Sequence, residues 1–195
     1  MKIVRYLLGA MLVIQAFVVA PVFAQKMATV NVVQIFGTVD PAKVNDYTEY
    51  MAAVNMYEAL TTLDSSGSIK PLLAESWDVS ADTLTYTFKL KSGATFQDGS
   101  PVEAKDVVYS VNRLLALNEG PSYLFEGVLD ENSVSAVGND KVEFKLKKVY
   151  TPFLTNTPIL FVVNSDVAEA NKTSSDPWAQ DFIANNTIGA GAFKM

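Results

Sequence analysis

Hydrophobic and polar residues alternate with clear periods along much of this chain, and each period names an element. Leu84, Tyr86, Phe88 and Leu90 alternate with Thr85, Thr87 and Lys89. A period of two predicts a strand with one buried face. Val142, Phe144 and Leu146 alternate with Glu143, Lys145 and Lys147 in the same way. Gly138-Asn-Asp140 supplies a turn before them, so 133–137 and 141–147 read as a hairpin. Between these strands the apolar spacing changes to three and four. Val107, Val108, Val111, Leu114 and Leu115 form one stripe, which predicts a helix over about 103–117. Ser100-Pro-Val-Glu103 offers it a capping box.

The flanking segments are read on the same grounds. Val30, Val32, Val33 and Ile35 make 28–35 a plausible buried strand, and Phe36-Gly-Thr-Val-Asp-Pro41 reads as the loop after it. Asp46-Tyr-Thr-Glu49 looks like a capping box that opens a second helix. Its apolar residues Tyr47, Tyr50, Met51, Val54 and Tyr57 predict the buried face. Ile159-Leu-Phe-Val-Val163 is a continuous apolar run, as in a fully buried strand. Short helices are expected at 166–171 and 177–184. Ser92-Gly93 and Asp98-Gly99 mark turns, where glycine supplies a positive φ. These elements predict an α/β fold.

Composition narrows the chemistry. Hydrophobic residues make up 49% of the chain, enough for a packed core. Cysteine and histidine are both absent. That removes disulfides, thiol nucleophiles, thiolate metal sites, imidazole bases and the Ser-His-Asp triad. No cofactor and no metal are expected. The formal charge is −6, and it becomes −8 once residues 1–24, with Lys2 and Arg5 and no acid, are set aside. An acidic chain without a basic run is not expected to bind nucleic acid. Asp64, Glu75, Asp78, Asp82, Glu103 and Asp106 read as solvated surface charge, since no two share a spacing that marks a catalytic pair.

The first 24 residues read as an export signal. Lys2 and Arg5 give a positive start, 6–20 is apolar apart from Gln15, and Val22-Phe-Ala24 places small or branched residues before a cleavage site. The apolar run is short for a bilayer span of about 20 residues. Cleavage is expected between Ala24 and Gln25, giving a periplasmic protein. No Cys follows the run for a lipid anchor.

The most informative stretch is 69–113. It reads Ile69-Lys-Pro-Leu-Leu-Ala-Glu-Ser-Trp-Asp-Val-Ser80, Leu84-Thr-Tyr-Thr-Phe-Lys-Leu90, then Thr95-Phe-Gln-Asp-Gly-Ser-Pro-Val-Glu-Ala-Lys-Asp-Val-Val-Tyr-Ser-Val-Asn-Arg113. It resembles the signature region of the family 5 extracellular solute-binding proteins of ABC importers, the oligopeptide, dipeptide and nickel-binding type. Met56-Tyr-Glu-Ala-Leu60 resembles the family's Leu-Tyr-Glu-Gly-Leu, with Ala59 in place of glycine. Ile188-Gly-Ala-Gly-Ala-Phe193 resembles the Gly-Thr-Gly-Pro-Tyr/Phe motif that returns the family's chain to its first lobe. Gly189-Ala-Gly191 therefore reads as a tight backbone passage. It lacks the Lys-Ser/Thr of a phosphate loop.

The resemblance implies the N-terminal part of a bilobed periplasmic clamp. Residues 1–24 are then the signal peptide, 25–60 the start of the first lobe, 61–175 a mixed strand–helix subdomain, and 176–195 the return to the first lobe. The implied function is capture of a peptide-like solute and its delivery to an ABC permease in the inner membrane, without catalysis. A secreted carboxylate-dependent hydrolase, or a periplasmic chaperone or receptor that transports nothing, stays as the alternative. Two loops are the candidate solute contacts. Phe36, Gly37 and Thr38 follow the first strand, where ligands sit in open α/β sheets. Tyr123 and Phe125 lie in a Gly/Pro-flanked loop and have no periodic partner. In dipeptide-binding relatives, a Tyr of a Ser-Tyr-x-x-Phe-Glu stretch faces the ligand. Here Ser122-Tyr-Leu-Phe-Glu126 is one residue shorter.

Overall fold

A computed structural model describes residues 37–195. The export segment, the strand expected at 28–35 and Phe36 lie outside the described residues. The elements run in the order α1 (Tyr47–Met56), β1 (Glu58–Ala59), β2 (Thr61–Leu63), β3 (Ile69–Pro71), β4 (Ala74–Val79), β5 (Thr85–Leu90) and α2 (Ala104–Leu117). Then follow β6 (Val134–Val137), β7 (Lys141–Lys145), α3 (Phe153–Asn156), β8 (Phe161–Val162), α4 (Ser165–Asn171) and α5 (Gln180–Ile183). Short 3-10 turns cover Pro41–Lys43 and Gly120–Phe125. The fold is mixed α/β.

The period-two segments build a four-stranded antiparallel sheet in the order β4-β5-β7-β6. Register sets Phe88 opposite Val142 and Tyr86 opposite Phe144. Tyr86, Phe88, Leu90, Val142 and Phe144 are all buried, while Lys89, Lys141 and Lys145 are exposed. One face is therefore apolar, and α2 packs against this sheet with Val107, Val111 and Leu114 buried. Phe144 meets Phe88 edge-on with ring centroids 5.6 Å apart, and it meets Phe153 at a tilt with centroids 5.4 Å apart. Removing each such ring from water contributes about 1.5–3 kcal/mol. Trp77 pairs opposite Phe88 and packs partly buried against it. Trp77 thus packs at the margin of the core.

A second apolar cluster gathers residues distant in sequence. Val39, Val44, Ala53, Met56, Tyr57 and Ala59 meet Phe161, Val163, Ala168, Ile183 and Ile188. Among the described residues its strand pairing is β1 with β8, antiparallel, two residues each. The expected strand at 159–163 is thus shorter, because Thr157–Ile159 closes a 3-10 turn around Pro158.

Helix starts and faces differ in part from expectation. α2 is capped by Glu103 rather than Ser100: the Glu103 amide donates to Asp106 Oδ2 at 2.8 Å. Ser100 instead binds Asp98 through its amide (2.9 Å) and hydroxyl (2.6 Å), closing the turn in which Gly99 has φ +88°. Asp46 caps α1, accepting from the Glu49 amide at 2.9 Å. The Glu49 carboxylate accepts from the amides of Asn45 (2.7 Å) and Gly37 (3.2 Å), so it ties the preceding loop to the helix. The buried face of α1 is Glu49, Ala53 and Met56, with Tyr57 beyond it. Tyr47, Met51 and Val54 point outward. Apolar residues lie nearly all round this helix, so periodicity alone did not select a side.

Candidate functional site

The site is built from the polar side of α2. Asp106, Ser110 and Arg113 recur at four and three residues, and all three are buried. At about 100° per residue they form a stripe roughly 100° around the helix from Val107, Val111 and Leu114. α2 therefore has two buried faces. Its apolar face packs on the sheet, and its polar face meets the chain segments of the second cluster. Asp106 was expected to be solvated. It is 1% exposed, and Oδ1 accepts from the Ser165 amide (3.0 Å) and hydroxyl (2.5 Å), fixing the start of α4. A carboxylate supplied with several donors tolerates burial that a bare one does not. Ser110 accepts from the Val163 amide at 2.9 Å and donates to the Asp106 carbonyl at 2.6 Å.

Arg113 completes the stripe. Nη1 and Nη2 donate to Asp40 Oδ1 and Oδ2, both at 2.6 Å, and Nε donates to the Trp178 carbonyl at 2.9 Å. The two charged side chains are 1% and 0% exposed. Asp40 Oδ1 also accepts from the Ala42 amide at 3.0 Å, and the Asp40 amide donates to Thr38 Oγ1 at 3.0 Å. The loop 37–43 is thereby held at its start by Glu49 at Gly37 and at its middle by Arg113 at Asp40. Tyr109, one helical turn before Arg113, packs on Trp178 with ring centroids 5.5 Å apart. Burial pushes its phenol up to about 12. Tyr57 is raised as well, chiefly by burial and then by the Asp40 carboxylate.

The second candidate loop lies against the first. The 3-10 turns Pro41–Lys43 and Gly120–Phe125 pack together. Gly120 has φ +48°, and a Cβ there would stand 2.6 Å from the Ala42 carbonyl oxygen. Only glycine permits this approach. Lys43 and Glu119 add an ion pair at 3.5 Å at the surface, where such pairs contribute little.

The structure separates the two aromatics of that turn. Tyr123 is 70% exposed. Phe125 is fully buried and meets Phe153 edge-on at 6.4 Å, so it packs the core and has no surface to offer a solute. Gly37 is exposed and Thr38 half-buried. Of the expected contacts among the described residues, Gly37, Thr38 and Tyr123 therefore sit on adjoining surface loops. An open cleft of about 540 Å³ also borders this turn, lined by Ser122, Glu126, Asn112, Leu115, Asp130 and Trp178. That volume lies within the range of small-molecule sites, about 300–1,000 Å³.

The return segment is fixed by a residue that sequence reading passed over. The Gln97 amide donates to the Gly189 carbonyl at 3.0 Å. Its side-chain Nε2 donates to the carbonyls of Met56 (3.1 Å), Gly191 (3.0 Å) and Phe193. A Cβ on Gly189 would lie 2.3 Å from the Met56 carbonyl oxygen, and one on Gly191 would lie 2.4 Å from the Met56 carbonyl carbon. Both glycines are thus a close backbone passage. Asp106, Ser110 and Arg113 share a helical spacing, which could have marked them as one side of α2 but not as a buried one. Asp40 and Gln97 carry no such signal, because their partners lie far along the chain.

The comparisons with known proteins give the class. A profile described as bacterial extracellular solute-binding proteins, family 5 middle, matches residues 68–195. The chain belongs to this family. It is 31% identical over 165 residues to the Escherichia coli protein named "Probable D,D-dipeptide-binding periplasmic protein DdpA", covering 81% of this chain and 31% of that one. It is 34% identical over 157 residues to the glutathione-binding protein GsiB of Pectobacterium atrosepticum, covering 80% and 30%. The crystal structure of NikZ from Campylobacter jejuni in complex with Ni(L-His) superposes with a TM-score of 0.69 at 26% identity, covering 83% of this chain and 31% of that one. The chain spans about a third of the length of the curated relatives it matches.

Proposed function

We propose that the chain forms one wall of a solute-binding protein that serves an ABC importer in the periplasm. Its solute is peptide-like, and its macromolecular partner is an inner-membrane permease. Gly37 and Thr38 on one loop and Tyr123 on the other face the solute. The observation that carries this reading is the joining of the two loops: Gly120 against Ala42 packs the turn that bears the exposed Tyr123 on the loop that bears the exposed Gly37 and half-buried Thr38. The names of DdpA and GsiB, a D,D-dipeptide and glutathione, favour a small peptide as solute. An exposed aromatic beside backbone polar groups suits peptide recognition, since the ring gives area at little entropic cost and the backbone gives orientation.

The test is amide-resolved NMR of the exported chain titrated with tri-alanine. A single wall encloses little of a small ligand, so the expected Kd is about millimolar, roughly −4 kcal/mol. Shifts should centre on Gly37, Thr38 and Tyr123. Tyr123→Ala should abolish them and leave stability within about 0.5 kcal/mol, as for other exposed sites. Shifts confined to other surfaces, or a Tyr123→Ala chain that binds as before, refute the assignment.

A further inference from the structure

We infer that Arg113 is a positioning residue for the solute-facing loops, acting through Asp40 without touching solute. This rests on the reading of Gly37, Thr38 and Tyr123 as the solute wall. One guanidinium uses three N–H groups on two separate segments: Asp40 of the 37–43 loop, and Trp178 before α5. The Asp40 carboxylate then holds the Ala42 amide, and its own amide reaches Thr38 Oγ1. Ala42 is the residue against which Gly120 closes, one turn from Tyr123. A continuous chain of contacts thus leads from α2 to both loops.

Stability alone does not explain a charged pair here. Well-packed apolar residues of similar volume often match or exceed a buried ion pair. What the pair adds is direction. The guanidinium is a planar fork with fixed donor angles, and both carboxylate oxygens of Asp40 are engaged at 2.6 Å, so the loop has one orientation relative to α2. Lysine carries the same charge without the fork, and asparagine keeps the shape of Asp40 without the charge.

The experiment is amide hydrogen exchange, read by NMR, on the wild-type chain and on Arg113→Lys. The expected result is local. Exchange at Asp40, Ala42, Lys43 and Ser122 rises at least tenfold, while Phe88 and Phe144 in the sheet keep their rates. A role in global stability alone would raise all of these rates together, and that outcome overturns the proposal, as does unchanged exchange in the loops. Should Arg113→Lys fail to fold, Asp40→Asn is measured by the same criterion. In a parallel arm, tri-alanine is titrated into both chains. Wild-type shifts at Thr38 and Tyr123 that vanish in Arg113→Lys support the positioning role. A local rise in exchange, with no tri-alanine shift even in the wild type, keeps Arg113 as the loop clasp and overturns the solute reading instead.

Discussion

Gly120→Ala puts the junction of the two loops under direct strain. Two costs arise from the structure. Gly120 has φ +48°, a left-handed conformation that costs an L-residue roughly 1–2 kcal/mol. The new Cβ would also stand 2.6 Å from the Ala42 carbonyl oxygen and 2.9 Å from the carbonyl carbon and Cα of Lys43. These are backbone atoms that cannot swing aside, and overpacking of this kind costs about 1–3 kcal/mol. The expected loss is about 2–5 kcal/mol. Gly93→Ala is the control: its φ is +78°, but nothing lies within 4 Å of the added Cβ. It should cost only the first part, about 1–2 kcal/mol. Urea unfolding of both variants, followed by the fluorescence of Trp77 and Trp178, measures the difference. If the two cost the same within about 0.5 kcal/mol, the close approach of residues 42 and 120 is wrong, and with it the joining of the loops.

Two further outcomes are expected. Tyr109 is raised by burial to about 12 from an ordinary 10, and Tyr57 is raised in the same direction. In that window the unfolded chain has lost phenolic protons that the folded chain keeps, so stability is full below about pH 10 and falls as pH rises toward 12. Phenolate absorbance should show Tyr109 silent near pH 10, and Tyr109→Phe should flatten the alkaline loss; titration of Tyr109 at its ordinary value in the folded chain refutes this. In a Gram-negative host the exported protein should begin at Gln25, and N-terminal sequencing that finds Met1 in the membrane fraction counts against the cleaved signal.

How much of this was legible in the sequence follows from the range of the forces involved. The sheet strands and α2 were readable because alternation and helical spacing are local, and one buried face is enough to impose them. The turns at Gly93 and Gly99 were readable because a positive φ restricts the residue type. The family resemblance was readable because it lies in consecutive residues. Which polar groups are buried was not. Asp106 looks like any surface acid until Ser165, 59 residues away, supplies its donors. Asp40 and Arg113 meet across 73 residues, and each can give up its water only where the other replaces it. Tyr123 and Phe125 share one short turn, yet one is exposed and the other packs on Phe153. Likewise the apolar residues around α1 left its buried side open until Phe161 and Ile188 arrived. Local pattern determines what an element is. Only the tertiary contacts decide which face it buries and which side chains remain for a solute, because desolvation depends on neighbours that the chain brings from afar.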